Sequence, residues 1–276
     1  MMNARTRKRL ISALRYVIAI GALIFFLFPI IWISLTAFKT PEEFLRSPPV
    51  WFPRNPSFRY FENVIETQGL KALSNTLIIS VSTTLLALVF GSLAAYGMAR
   101  YRVGGDNLPF FILSQRFMPP AVIVFPFLLM FKTLKWSDTH QALIVIYLTF
   151  NLPYAVWMMR GFFLEIPIEI EESALVDGCT PFGAFWKIAL PLVTPGLVAT
   201  GVFCFIFSWA EFFFAVSLTR SAALPLSVYI VHFFGKMMVQ WGEVGATSIV
   251  AMLPLFIMSI FVQRYLVRGL TMGAVK

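Results

Sequence analysis

Long stretches with almost no charged residues restrict this chain more than any other feature. A helix needs about 20 mostly apolar residues to cross the hydrocarbon core of a bilayer. Such windows recur along the chain, at residues 14–36, 73–99, 108–131, 142–159, 192–218 and 245–266. The third window is interrupted by Pro119 and Pro120. The pattern predicts an all-α, polytopic membrane protein with six transmembrane helices in one membrane domain over residues 1–276.

The composition supports lipid rather than water as the surrounding medium. Apolar residues make up 59% of the 276 residues and charged residues only 13%, whereas soluble domains carry about 25% charged residues. A net charge of +9 could suit nucleic acid. Because the charges gather at the borders of the apolar windows, however, we expect membrane anchoring and no nucleic-acid partner. Cys179 and Cys204 have no metal-site or disulfide spacing, so we expect reduced thiols and no metal.

Basic residues at the ends of the windows predict the orientation. Arg100, Arg160 and Arg264 each close a span that would run from outside to inside. Both termini are then cytoplasmic, the loop of about residues 37–72 is extracytoplasmic, and the loop of about residues 160–191 is cytoplasmic. The first apolar window is too long for the core of a cleaved signal peptide, so we expect it to remain as a membrane anchor.

The cytoplasmic segment 160–191 reads as two short helices. Pro167 suits the first turn of the first helix, and Gly178 suits its left-handed stop. Thr180 is a natural N-cap for the second helix, with Pro181 at its first position. We expect Pro191 to end this helix. Four apolar residues of the second helix share one face at helical spacing: Phe182, Phe185, Trp186 and Ala189.

This segment resembles the cytoplasmic loop of permease subunits of ABC importers. The family pattern is Glu-Ala-Ala, three residues, Gly, nine residues and Ile-x-Leu-Pro. The chain has Glu172-Ser173-Ala174, then Gly178, then Ile188-Ala189-Leu190-Pro191, with every spacing kept and Ser173 as the one departure. The tail from Arg268 to Lys276 resembles the smaller permease subunit of carbohydrate importers of the maltose type. The ordinary alternative is a cytoplasmic helical hairpin with solvated acids.

The resemblance implies a mechanism and a set of partners. The first loop helix would dock on a cytoplasmic ATPase, with Glu172 in polar contact, Ala174 allowing close approach and Gly178 allowing the turn. Ile188, Leu190 and Pro191 would join the loop to the fifth span. The resemblance further implies a second homologous permease, two ATPase copies that bind ATP and Mg, and an extracytoplasmic solute-binding protein approached by the loop 219–244. The expected location is a bacterial inner membrane.

Polar residues inside the windows are candidates for the substrate path, because such groups are costly in a membrane. Glu211 could accept hydrogen bonds from sugar hydroxyls, and Trp209 could stack on a sugar ring. Asn151, Gln115 and Arg116 are further candidates near prolines that interrupt helices. The alternatives are hydrogen bonds between helices, pairing with a partner subunit, or extension of Arg116 to the interface.

The function that these patterns favour is transport rather than catalysis. The sequence has no nucleotide-binding loop of the Gly-x-x-x-x-Gly-Lys-Ser/Thr type, so ATP hydrolysis is expected on another chain. No pair of residues in the windows is arranged for catalysis. We expect import of a sugar or sugar derivative. An ABC permease for a non-sugar solute and an ion-coupled secondary transporter are the alternatives, and the sequence does not name the solute.

Overall fold

The computed structural model describes residues 4–44, 46–105, 107–235 and 238–272. Within these ranges it describes the side chains of residues 10–260 and of Gln263. The regular elements in these ranges are helical. The α-helices in chain order are α1 (Ala4–Thr36), α2 (Pro41–Phe44), α3 (Arg59–Glu66), α4 (Gly69–Arg100), α5 (Asn107–Ser114), α6 (Pro120–Thr133), α7 (His140–Leu164), α8 (Ile168–Val176), α9 (Pro181–Ala184), α10 (Leu190–Leu192), α11 (Thr194–Trp209), α12 (Phe213–Leu218), α13 (Leu226–Tyr229) and α14 (Trp241–Met272).

Four helices are long and apolar enough to cross a membrane as single elements, and they agree with four predicted windows. They are Leu10–Thr36 of α1, the whole of α4, His140–Glu165 at α7, and Trp241–Ile260 of α14. Two bent pairs of helices raise the number of candidate spans to six. The all-helical prediction is therefore confirmed, with four to six spans.

The third predicted span is a broken helix. The segments Asn107–Phe117 and Pro120–Thr133 meet at an angle of 86°. A short 3-10 turn, Gln115–Phe117, closes the first segment, and Pro119 is the N-cap of α6. The predicted interruption at Pro119 and Pro120 is confirmed, since proline has no N–H to donate and restricts the residue before it.

The fifth predicted span is less regular than expected, and Pro191 does not end the loop helix. A π-helical turn, Phe185–Ala189, leads into α10, which runs through Pro191 to Leu192. Pro191 is the second residue of α10, which continues the π-turn directly within the helical run Pro181–Leu192. The 77° bend instead follows Leu192, before α11 begins at Thr194. α12 is a separate short helix after α11.

The chain forms two compact units. Unit 1 comprises residues 1–68 and 232–251, and unit 2 comprises residues 69–231 and 252–276, as far as the structure describes them. In unit 1, the extracytoplasmic loop predicted at about 37–72 carries the short helices α2 and α3. The side chain of Glu43 organises part of this loop, because its oxygens accept hydrogen bonds from the N–H groups of Thr40 (3.0 Å) and Arg54 (2.8 Å). The assignment of residues 1–276 to one domain stays a prediction.

Unit 2 is built on α4, α7 and α11, which pack closely against one another. Gly91 of α4 lies directly against Ala155 of α7, so closely that a Cβ at residue 91 would come within 2.7 Å of the Ala155 Cβ. Small polar residues, such as Thr83 and Thr200, are completely buried in the same region. Small side chains let helix backbones approach each other in a membrane, where no hydrophobic force holds helices together.

The outward face of α1, in unit 1, is apolar and exposed. Phe25 is 74% exposed and Phe26 69% exposed, and no residue of its most apolar stretch is buried. In water such a surface would be an aggregation hazard, whereas lipid or another membrane helix can cover it.

Candidate coupling loop and membrane cavity

The segment 160–191 forms the predicted pair of short helices. Gly178 follows α8 with φ of +90°, the left-handed conformation that favours glycine. Thr180 caps α9, since its Oγ1 accepts a hydrogen bond from the Gly183 N–H at 3.0 Å. Pro181 begins that helix, as predicted. Pro167 differs slightly from expectation, because it is the N-cap of α8 with an extended backbone rather than a residue of the first turn.

The motif residues of α8 lie on two sides of the helix. Glu172 and Ser173 are exposed, and the Ser173 hydroxyl donates to the Glu169 carbonyl at 2.8 Å. Ala174 is buried, with 9% exposure. Large apolar side chains are also exposed on this short helix, and Val176 is 87% exposed. α8 therefore presents acidic and apolar groups together on an open surface.

A buried ion pair attaches α8 to the end of α4, and no local sequence pattern indicates it. Arg100 donates from Nε (2.8 Å) and Nη2 (2.6 Å) to Oε1 of Glu171. The other carboxylate oxygen of Glu171 accepts a hydrogen bond from the Tyr96 hydroxyl at 2.6 Å. Arg100 also donates to the Ile166 carbonyl at 3.1 Å. The Arg100 and Glu171 side chains are only 8% and 5% exposed, so α8 is fixed to α4 beneath its open face.

The second loop helix shares its apolar residues between the core and the surface. Phe185 and Ala189 are buried, whereas Phe182 and Trp186 are 67% and 61% exposed. The predicted one-sided stripe is thus only half covered. Of the remaining motif residues, Ile188 and Leu190 are half-buried and Pro191 is exposed. These residues lie on the π-turn and α10, directly before the bend that leads into α11.

A cavity of about 330 Å³ lies beside the break in the third span and contains three of the five path candidates, Gln115, Arg116 and Glu211. It is also lined by Thr149 of α7 and Phe207 of α11. The guanidinium of Arg116 lies 4.2 Å from the centre of the Phe207 ring.

Glu211 has a structural role in this cavity. Its Oε1 accepts the N–H of Phe214 at 2.9 Å, and its Oε2 accepts the N–H of Ala215 at 3.1 Å. These are free amides in the first turn of α12, which a carboxylate caps well. A role for Glu211 in the substrate path stays a prediction.

Asn151 and Trp209 do not line the cavity. Asn151 is fully buried, and its Nδ2 donates to the Tyr147 carbonyl and to the Ser208 hydroxyl, both at 3.0 Å. The second of these bonds joins α7 to α11, in agreement with the alternative that such residues form hydrogen bonds between helices. Trp209 is 5% exposed and stacks on Phe205 with ring centres 5.3 Å apart. A path role for either residue stays a prediction.

At the end of α7 opposite the coupling loop, Asp138 closes a turn. Its carboxylate accepts four backbone N–H groups at 2.9–3.1 Å, those of residues 220–223. Burial alone would raise the pKa of Asp138, but these donors hold the pKa below its usual range. Asn75 supports the same region by donating to the carbonyls of Ala222 (3.1 Å) and Leu224 (3.0 Å). The sequence did not single out Asp138, since its partners are more than 80 residues away.

In unit 1, part of the predicted extracytoplasmic loop 219–244 borders a second cavity, of about 450 Å³. Trp241 and Glu243 line it, together with Asn63, whose Nδ2 donates to the Glu243 carboxylate at 3.3 Å. Lys236 of this loop lies outside the described residues, as do residues 273–276 of the tail that resembles maltose-type permeases. The approach of this loop to a binding protein stays a prediction.

Comparison with known proteins agrees with the loop motif. The chain is 33% identical over 264 residues to the diacetylchitobiose uptake system permease protein DasC of Streptomyces coelicolor, covering 94% of this chain and 95% of the relative. It is 33% identical over 275 residues to the trehalose/maltose transport system permease protein MalG of Thermococcus litoralis, covering 95% and 97%.

A solved structure shares the fold. A chain of a bacterial ABC transporter involved in the import of the acidic polysaccharide alginate superposes with a TM-score of 0.80, 23% identity, and coverage of 96% of this chain and 99% of that chain. Residues 87–272 match the model of a protein family described as the binding-protein-dependent transport system inner membrane component. The chain therefore belongs to this family of multi-pass inner-membrane permeases of ABC transporters.

Proposed function

We propose that this chain is the translocation subunit of an ATP-driven importer that moves a sugar or sugar derivative from an extracytoplasmic binding protein into the cytoplasm. The observation that carries the proposal is the loop 160–191, where an exposed acidic and apolar helix is followed by a left-handed glycine. The names of the similar permeases, for diacetylchitobiose and for trehalose and maltose, support a carbohydrate substrate.

The loop would transmit the work of the ATPase. Glu172 is exposed and would make polar contact with a groove of the ATPase, while Val176 and its apolar neighbours would fill that groove. The exposed Ser173 is small enough to let the helix sit close to its partner, whereas the buried Ala174 faces the rest of this chain. The half-buried Ile188 and Leu190, with Pro191, would pass the displacement to the bend before α11.

The complete importer would contain further chains. A second homologous permease would form the other wall of the path, two ATPases would bind ATP and Mg, and a solute-binding protein would deliver the sugar. The exposed apolar face of α1 supports burial against lipid or against the second permease. Gln115 and Arg116 would line the path from this subunit, because they border the membrane cavity.

The decisive experiment measures ATP hydrolysis and sugar uptake by the assembly in liposomes. Wild type is compared with Glu172→Lys and with Glu165→Lys, a matched charge reversal at an exposed residue before α8. We expect loaded binding protein to stimulate hydrolysis in the wild type and in Glu165→Lys. In Glu172→Lys the stimulation should fall at least about tenfold. The variant loses the charged hydrogen bond of Glu172 to the ATPase, and the new lysine repels the group that donated this bond.

Each alternative function predicts a different result. Full uptake without a bound ATPase would favour an ion-coupled secondary transporter. Stimulation by an amino acid or peptide but by no sugar would favour a permease for another solute. Equal behaviour of the two charge reversals would remove α8 as the site of coupling.

A further inference from the structure

The membrane cavity contains the positive charge of Arg116, which lies beside the middle of α7. The 3-10 turn that carries Arg116 packs on α7, and the guanidinium lies 4.9 Å from the ring centre of Tyr154. Tyr154 is 14 residues after the start of α7, which is about 21 Å along a helix at 1.5 Å per residue. Since α7 has 25 residues, Arg116 faces its middle and not one of its ends.

Arg116 forms no salt bridge among the described residues, where the ion pair found is that of Arg100 with Glu171. Glu211 borders the same cavity, but both of its oxygens accept backbone N–H groups of α12. The rings of Tyr154 and Phe207 offset some of the cost of the guanidinium through cation–π contact. A charged side chain beside the middle of a candidate membrane span is nevertheless costly and points to a function.

The surroundings of Arg116 suit a small polar ligand. The cavity of about 330 Å³ is at the lower end of the range for ligand sites. Gln115 is exposed at its edge, and the Thr149 hydroxyl donates to the Ile146 carbonyl, so its oxygen can still accept a hydrogen bond. Irregular backbone at membrane depth is tolerated where it lines such a space, and the break of the third span provides that backbone here.

We infer that this cavity binds the anionic group of an acidic saccharide during translocation, with Arg116 as its counter-charge. The planar guanidinium fork matches a carboxylate or sulfonate through two parallel hydrogen bonds. The aromatic rings on which it lies hold the fork in place, while Gln115 and Thr149 are available to hydroxyl groups of the same sugar. This inference rests on the proposed function and adds the class of sugar to it.

The first part of the test uses the cognate binding protein. Neutral disaccharides and analogues with a carboxylate in place of one hydroxymethyl group are titrated into it, and the tightest acidic and neutral ligands become the two transport probes. We expect at least one acidic saccharide to bind. If none binds while neutral sugars bind and are imported, the inference is overturned and the proposed function stands.

The second part measures uptake of both probes by the complete importer in liposomes. Arg116→Gln should lower uptake of the acidic probe at least about tenfold, because one charged hydrogen-bonded pair is lost. Uptake of the neutral probe should stay within about twofold of the wild-type value. Arg116→Lys should restore part of the acidic uptake, because it keeps the charge and loses the fork. Arg102→Gln, at an exposed loop residue, is the matched control and should change neither probe.

One other outcome would overturn the inference. Equal loss of both probes in Arg116→Gln would mean that the guanidinium serves the fold, a lipid phosphate or an acid of the second permease. A smaller yield of assembled complex for this variant would identify the second permease in particular. If neither probe is imported even by the wild type, the failure belongs to the proposed function and not to the role of Arg116.

Discussion

At the scale of single residues, Gly178 is a position where backbone conformation alone decides the effect of a substitution. Its φ is +90°, and a Cβ placed there would meet no atom within 4 Å. Any effect of a substitution therefore comes from the left-handed backbone and not from a steric clash. This separation makes the position a clean test of whether the turn between the loop helices matters for coupling.

Substitutions at Gly178 should rank by their tolerance of this conformation. Asn visits the left-handed region easily, whereas an ordinary side chain there costs about 1–2 kcal/mol. We expect binding-protein-stimulated hydrolysis to decrease in the order Gly, Asn, Ala, Val. Gly161, which also has open space around it, is the control for Gly→Ala. Equal activity of the Asn and Val variants would refute the conformational explanation.

Asp138 is a residue whose charge holds two distant segments together. Its φ of +57° is tolerated by Asn as well as by Asp, so Asp138→Asn removes charge without adding backbone strain. The amide loses acceptor capacity for the N–H groups of residues 220–223. We expect the thermal midpoint of the purified protein at pH 7 to fall by about 2–4 °C.

The sign of the pH dependence follows from the lowered pKa of Asp138. A group whose pKa is lower in the folded state contributes stability that is present above its unfolded pKa and disappears as the pH falls through the folded value. The difference in midpoint between wild type and Asp138→Asn should be constant from pH 7 to about 5 and shrink below about pH 4. A difference that is unchanged at low pH would show that the carboxylate charge contributes nothing.

At the scale of helices, the contact of α4 with α7 depends on small side chains. A Cβ on Gly91 would lie 2.7 Å from the Ala155 Cβ and 3.3 Å from the backbone carbonyl carbon of that residue. Backbone atoms cannot move aside as a flexible side chain can. The two helices must therefore separate if residue 91 grows.

Gly91→Leu should for this reason destabilise unit 2. Overpacking costs about 1–3 kcal/mol, which we expect to see as a lower thermal midpoint and a lower yield of folded protein in detergent. Gly97→Leu is the control on the same helix, because a Cβ at residue 97 meets its nearest atom at 3.9 Å. The close-packing explanation is wrong if the two variants melt alike.

Helices and caps were predictable because their signals are local. The apolar windows, Thr180 with Pro181, and Gly178 each act through neighbours within a few residues. Four windows are single helices and two are bent pairs of helices, and Thr180 and Gly178 form the predicted cap and turn. The interruption at Pro119 was visible for the same reason. Its angle of 86° was not, since that angle depends on packing against α7.

The contents of the candidate sites were only partly predictable. Polar residues that are costly to place in a membrane were recognised from the sequence. The sequence could not distinguish Arg116, which borders a cavity, from Asn151, which is buried and hydrogen-bonds to another helix. The pair of Arg100 and Glu171 spans 71 residues and has no local pattern. Such partners become visible only when the helices that carry them are placed side by side.

At the scale of the whole molecule, the proposed function requires that a push on α8 moves the membrane helices of unit 2. In that proposal the loop motif supplies the contact surface, but exposed residues cannot by themselves carry the displacement inward. The buried pair of Arg100 and Glu171, with Tyr96, provides a rigid connection to α4. We therefore expect these residues to set the efficiency of coupling, as positioning residues that do not touch the solute.

Stability and coupling can be separated at this connection. Glu171→Gln leaves Arg100 buried without a counter-charge, which costs about 3–5 kcal/mol and should lower the thermal midpoint sharply. The triple variant Tyr96→Phe, Arg100→Met and Glu171→Leu removes all three polar partners together. Replacing a buried ion pair by apolar residues of similar size is often neutral for stability, so we expect this variant to fold with a midpoint near that of wild type.

The triple variant should nevertheless consume more ATP for each molecule of solute imported. Apolar packing keeps α8 in contact with α4 but lacks the directional bonds that hold its orientation, so part of each ATPase closure would be lost in sliding between the two helices. The ratio of phosphate released to labelled solute taken up, measured in liposomes, tests this. Glu169→Gln, at an exposed residue of α8, is the control and should keep the wild-type ratio. If the triple variant has both a normal thermal midpoint and a normal ratio of phosphate to solute, the ion pair is one of several interchangeable ways of packing α8. A normal midpoint with a raised ratio would establish the ion pair as the rigid link between the loop and the membrane helices.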